Sequence, residues 1–128
     1  MTEQEKIVAE YFDMWVSRDG SRLPRIFSRN ALYVESWGPE YHGLEEIQRW
    51  FREWNERGTV REWTVRRFLE QGGSVLCEWY FECEYDGVGH AFNGVSWVVF
   101  DGAGKIAELR EYQSALPNYD PFEAKRPK

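Results

Sequence analysis

The sequence predicts an α+β fold in which an antiparallel sheet folds around three N-terminal helices. Two observations carry the α+β layout. Apolar residues recur at helical spacing through most of residues 3–57, and from residue 62 the chain alternates between faces in strand-length runs separated by glycine turns. Helices come first with one strand among them and a meander follows, the order of an α+β domain. A chain of 128 residues suits one domain with a proper core. Residues 1–116 are assigned to that domain and 117–128 to an extended C-terminal tail.

Residues 3–18 place Ile7, Val8, Tyr11, Phe12, Trp15 and Val16 on one helical stripe, with Gly20 as the expected C-terminal stop. Residues 21–28 read as a short second helix with Pro24 in its first turn. Residues 31–37 read as a strand carrying Tyr33, Glu35 and Trp37 on one face, followed by a Gly-Pro turn. Residues 43–57 form the third helix, with Leu44, Ile47, Phe51 and Trp54 on one stripe and Gly58 ending it. Four strands follow, at 62–71, 74–86, 90–100 and 105–114, joined at Gly72-Gly73, "DGVG" and "DGAG". In the second of these, Val75, Cys77, Trp79, Phe81, Cys83 and Tyr85 make one face. The tail holds three prolines and ends in basic residues.

Composition excludes several functions. A formal charge of −6 argues against nucleic acid, whose affinity rests on Lys and Arg, and against an anionic membrane surface. No apolar run approaches the ~20 residues that span a bilayer, and the acidic N-terminus lacks signal-peptide character. Cys77 and Cys83 lie six apart in one strand, roughly 20 Å from each other, too far for a disulfide. They read as small buried hydrophobes, which fits a cytoplasmic protein. His42 and His90 form no metal-spaced pair, so neither a metal nor a cofactor is expected. The aromatic fraction is 17%, enough to fill a core and to line a pocket for a flat apolar ligand.

Glu35 poses the functional question, because an ionised carboxylate is costly to bury without partners. Two readings stand: a solvent-facing or arginine-paired strand residue, or a carboxylate set in a pocket for chemistry. Tyr11 likewise reads either as core or as a buried hydroxyl donor. Glu111 and Gln113 share a parity with Leu109. Glu111 could pair with Glu35 as acid and base, or bind Arg67 in a structural ion pair.

The order of elements, with "YHGLEEIQRWF" at the third helix and "VSWVVFDGAGKIAELREY" across the last two strands, resembles the NTF2-like superfamily in its SnoaL-like branch. The resemblance covers roughly residues 5–114 and implies the cone, a fold that hosts isomerases, cyclases, dehydratases, epoxide hydrolases and non-catalytic binders. Within the superfamily the residue pattern is most similar to that of ketosteroid isomerase. That likeness implies Tyr11 as an oxyanion donor, Glu35 as general base, and Ser96 where the family carries a protonated aspartate. Phe27 and Phe51 stand where it has supporting tyrosines. The implied pocket is lined by Trp15, Tyr33, Trp37, Phe51, Trp79, Phe81, Phe92 and Val98, with Glu111 and Gln113 facing inward. Its expected ligand is a small apolar or aromatic molecule, and its expected chemistry is cofactor-independent proton transfer. Two rivals stay open: a non-catalytic ligand binder, and a protein-interaction module. Tyr80, Val95, Trp97, Val99 and Tyr112 fall on the outer sheet face, where so apolar a surface points to a homodimer.

Overall fold

The computed structural model describes residues 1–125. The first helix, α1 (Glu3–Ser17), begins with a capping box: the Glu5 N–H donates to Thr2 Oγ1 and the Thr2 N–H to Glu5 Oε1, each at 3.1 Å. It stops before Gly20, at Arg18, which takes the left-handed conformation (φ 61°). That conformation is unfavourable for a residue with a Cβ. Here the Arg18 guanidinium donates to the Gly58 carbonyl and to Thr59 Oγ1, both at 2.9 Å, and so ties the end of the helix to the sheet.

The second helix is shorter than the sequence suggests. α2 covers only Leu23–Ile26, and β1 (Phe27–Val34) starts at once. The reason is long-range: Phe27 pairs with Ile106 of the last strand. β1 also ends three residues before the expected strand does. Its chain turns at Glu35–Pro39 and returns as β2 (Glu40–His42), pairing Tyr33 with Tyr41. Glu35 and Trp37 therefore stand in a turn and not within a strand.

α3 (Leu44–Arg57) runs directly into β3 (Gly58–Gln71), followed by β4 (Ser74–Tyr85), β5 (Val88–Phe100) and β6 (Ile106–Ala115). The strands form one six-stranded sheet in the order β2-β1-β6-β5-β4-β3. It is mixed: β1 runs parallel to β6, whereas every other pairing is antiparallel. Register shifts at Val60/Glu62, Val65/Arg67 and Val99/Phe100 bend the strands and curve the sheet around α1. The shift at Val65/Arg67 also turns Arg67 outward, where its Nε meets Glu78 Oε1 at 3.0 Å. Arg67 is thus no partner for Glu111. After Ala115 the described tail is largely exposed, with one short 3-10 turn at Glu123–Lys125, and its basic end (126–128) lies outside the described residues.

The core lies between α1, α3 and the inner sheet face. Tyr11, Phe12, Trp15, Phe27, Tyr33, Phe51 and Trp79 are all buried there. Cys77 and Cys83 are buried free thiols. Outside, Trp97 and Tyr112 are exposed and sit as diagonal neighbours on adjacent strands.

One glycine permits the tightest packing. An added Cβ at Gly94 would lie 2.3 Å from the Trp79 ring and 2.6 Å from the Tyr112 carbonyl oxygen. Gly94→Ala is therefore expected to cost about 2–3 kcal/mol, read as a lowered urea midpoint. An unchanged midpoint would show that Trp79 has room to move.

Candidate active site

The helical stripe of α1 turns Tyr11 inward beneath β1, where its hydroxyl donates to the Tyr33 hydroxyl at 2.8 Å. Tyr33 in turn donates to the Glu111 carboxyl on β6. Three residues far apart in sequence thus form one chain of hydroxyls ending on an acid. Both tyrosines are fully buried, and burial holds their ionisation well above the ordinary value of 10, with the Glu111 charge as the next cause. Burial also pushes the Glu111 carboxyl up to about 8, the Tyr33 hydrogen bond opposes this, and the Glu35 charge adds to it.

Glu35 stands at the start of the β1–β2 turn. It accepts a hydrogen bond from the Tyr41 hydroxyl at 2.7 Å. Burial raises its carboxyl above the ordinary 4.5, against hydrogen bonds from Tyr41 and Trp37 that hold it down. The turn is tied to the sheet by Ser36, which donates to Gln113 Oε1 at 3.0 Å. Tyr41 stacks on Trp50 with ring centroids 4.6 Å apart, and Trp50 packs on Tyr33 at 4.8 Å. No ion pair reaches Glu35 or Glu111 among the described residues; Arg110 pairs with Glu108, and Arg67 with Glu78.

Ser96 is differently engaged. Its hydroxyl accepts from Trp79 Nε1 at 2.9 Å and lies against Cys77. It is also the direct cross-strand neighbour of Glu111. The carboxyl that burial raises thus stands directly across from Ser96, one strand over, on β6.

The structure brings Tyr11, Tyr33, Glu35 and Glu111 together. Trp15, Phe51, Trp79 and Val98 lie in the packed core, Phe81 and Phe92 at its half-buried edge, and Gln113 at the exposed end of the inner face. Trp37 is 70% exposed. Among the described residues, open surface depressions lie elsewhere, along Arg29, Asn30, His42 and Gly43 and along Glu45, Glu46 and Arg49 of α3. Sequence reading passed over Tyr41 and Trp50. The one signal for Tyr41 was the Gly38-Pro39 turn, which folds a residue of "EYH" back opposite Tyr33.

The site can hold and pass protons. When Glu111 carries its proton, the same three oxygens can be linked in reverse, Glu111 to Tyr33 to Tyr11, because each hydroxyl both donates and accepts. The Tyr11 O–H is then free to donate to a further acceptor. When Glu111 is ionised it must accept, and the chain runs only from Tyr11 to Glu111.

A search of curated protein sequences finds no match. Solved structures match widely in fold. A ketosteroid isomerase-like-fold protein from Catenulispora acidiphila, solved with trimethylamine, is 19% identical with a TM-score of 0.71, each chain 84% covered. A protein from Shewanella denitrificans described as a SnoaL-like polyketide cyclase is 15% identical with a TM-score of 0.77, covering 89% of this chain and 92% of that one. An epoxide hydrolase from M. tuberculosis is 17% identical with a TM-score of 0.78, covering 88% and 83%. At such identities the likeness establishes the fold. The family model for the SnoaL-like domain matches residues 8–109, most of the chain and every element from within α1 to Leu109 of β6, and so this protein belongs to the SnoaL-like domain family.

Proposed function

We propose that this protein catalyses cofactor-independent proton transfer on a small apolar or aromatic carbonyl compound, in the manner of an isomerase, cyclase or dehydratase. One observation carries the reading: two carboxyl groups with raised pKa values, in no ion pair among the described residues, set beside a chain of tyrosine hydroxyls in an aromatic interior. Glu35 in its ionised form takes a proton from the carbon next to the carbonyl. The C–H electron pair moves into the new C=C bond and the carbonyl pair onto oxygen, giving an enolate. Tyr11 donates to that oxygen, supported through Tyr33 by protonated Glu111. Glu35 then returns the proton to another carbon. The solved relatives described as a polyketide cyclase, an epoxide hydrolase and a trimethylamine complex support a small-molecule site on this fold.

The test is deuterium exchange. Enolisable ketones are incubated with the protein in heavy water, and loss of the proton next to the carbonyl is followed by NMR. Exchange above the buffer rate, lost in Glu35→Gln, is the expected result. A panel of ketones left untouched, or exchange that survives the substitution, refutes the reading.

A second reading, an interaction module, is favoured by the dense interior and by the exposed Trp97 and Tyr112. The occupant proposed for that outer face is a second copy of the chain. Sedimentation should then report twice the 15.3 kDa chain mass, and Trp97→Glu should return it to one. A monomeric wild-type protein would remove the dimer. The two free buried thiols suit a reducing cytoplasm.

A further inference from the structure

A buried carboxylate without a cation depends on hydrogen-bond donors to stay charged. Glu35 is in no ion pair among the described residues. We propose that Tyr41 is its positioning residue: the Tyr41 hydroxyl, set by the Trp50 ring of α3, holds Glu35 in the charged form that can take a proton. The inference rests on the proton-transfer reading, in which Glu35 is the base, and names what governs that base.

The hairpin accounts for the contact. The Glu35 N–H donates to the Pro39 carbonyl at 2.9 Å and Tyr41 pairs with Tyr33, so Glu35 and Tyr41 are diagonal neighbours on one face of β1 and β2. Across that diagonal the phenol hydroxyl donates to Glu35 Oε2 at 2.7 Å, the length of a bond to a charged acceptor. The Tyr41 ring is stacked on Trp50, with planes 16° apart and centroids 4.6 Å apart. Trp50 in turn rests on Tyr33 at 4.8 Å and on Trp15 at 4.9 Å, so α3 sets the direction of the hydroxyl. Glu40 and His42, on either side of Tyr41, point to the opposite face and meet each other at 3.5 Å.

The groups that face Glu35 are the Tyr41 hydroxyl from β2, the Glu111 carboxyl from β6 and the Tyr11 hydroxyl from α1, with the Trp37 indole on its own turn. None of these is a cation. Burial raises the Glu35 carboxyl, and Tyr41 opposes it more than Trp37 does, whose side chain is 70% exposed to competing water. Burial also raises the Tyr41 hydroxyl, so it keeps its proton and remains a donor wherever Glu35 titrates.

The measurement is the titration of Glu35 in protein carrying 13C-carboxyl glutamate, its signal assigned by Glu35→Gln. Tyr41→Phe removes the hydroxyl and keeps a ring on Trp50. It is expected to raise the Glu35 midpoint by about one pH unit, the weight of one hydrogen bond to a charged group. The acid limb of ketone exchange should move up with it, so that the loss of rate concentrates at low pH. Fluorotyrosine placed at position 41, a more acidic phenol of nearly the same shape, should move the midpoint down. A Glu35 midpoint that neither change moves, or a rate loss equal at every pH, overturns the inference and leaves the proton-transfer reading in place. Should Tyr41→Phe open the site to water, Glu35 and Glu111 would both fall towards 4.5, and the absence of a fluorotyrosine shift would then overturn the inference. If the midpoints move as expected and no ketone exchanges, the proton-transfer reading fails and the hold of Tyr41 on Glu35 stands.

Discussion

Glu111→Gln is expected to remove a loss of stability that the native protein suffers between about pH 4.5 and pH 8. Glu111 keeps its proton up to about 8 when folded, against an ordinary 4.5, because burial disfavours the charged form. An acid whose folded pKa is raised binds its proton more tightly in the folded state. Its contribution is complete below pH 4.5 and is lost as the pH rises through the folded value. The slope is about 1.4 kcal/mol per pH unit while the unfolded chain is ionised and the folded one is not. Glutamine cannot ionise, so the variant has no such slope. Urea unfolding at pH 5, 6.5 and 8 should show the variant gaining on the native protein at each step. A difference independent of pH would mean that Glu111 is ionised in the folded protein at neutral pH. The same proton governs the proposed chemistry, since only protonated Glu111 leaves Tyr11 free to donate. Exchange activity should therefore fall as the pH rises through about 8, and Glu111→Gln, which can still donate through its amide, should lose that alkaline limb.

Glu35→Gln is expected to lower the exchange rate by about 10²–10⁴-fold, the usual contribution of a positioned general base. The amide keeps the size of the carboxyl and still accepts from Tyr41, so the fold should persist. The loss should appear in kcat with little change in KM, because the base acts in the transition state and adds little to substrate binding. In the native protein the acid limb of the rate should lie above pH 4.5, since burial raises the Glu35 carboxyl and the rate falls as that carboxyl takes up its proton. Equal loss of kcat and of ligand affinity would instead make Glu35 a binding group.

Local pattern carried most of the architecture. The stripes of α1 and α3 and the alternation in β3–β6 are properties of adjacent residues, and a period of 3.6 or 2 can be read without knowing the partner. The period showed only that Glu111 shares a face with Leu109; the resemblance implied that this face points inward. What failed was non-local. The early start of β1 at Phe27 depends on Ile106, the outward turn of Arg67 on a bulge against β4, and the short β2 on a turn that brings Tyr41 opposite Tyr33.

The candidate site divides the same way. The sequence by itself determined that Tyr11 and Trp15 share a helix face and that Glu111 shares a parity with Leu109 on the final strand. Each follows from spacing along one element. Only the tertiary structure decided that Tyr11, Tyr33 and Glu111 form one hydrogen-bonded chain and that Ser96 is occupied by Trp79. Those facts depend on distances of a few ångströms between strands that meet across the sheet. Burial, which sets the protonation of Glu111, exists only once those strands have closed around it.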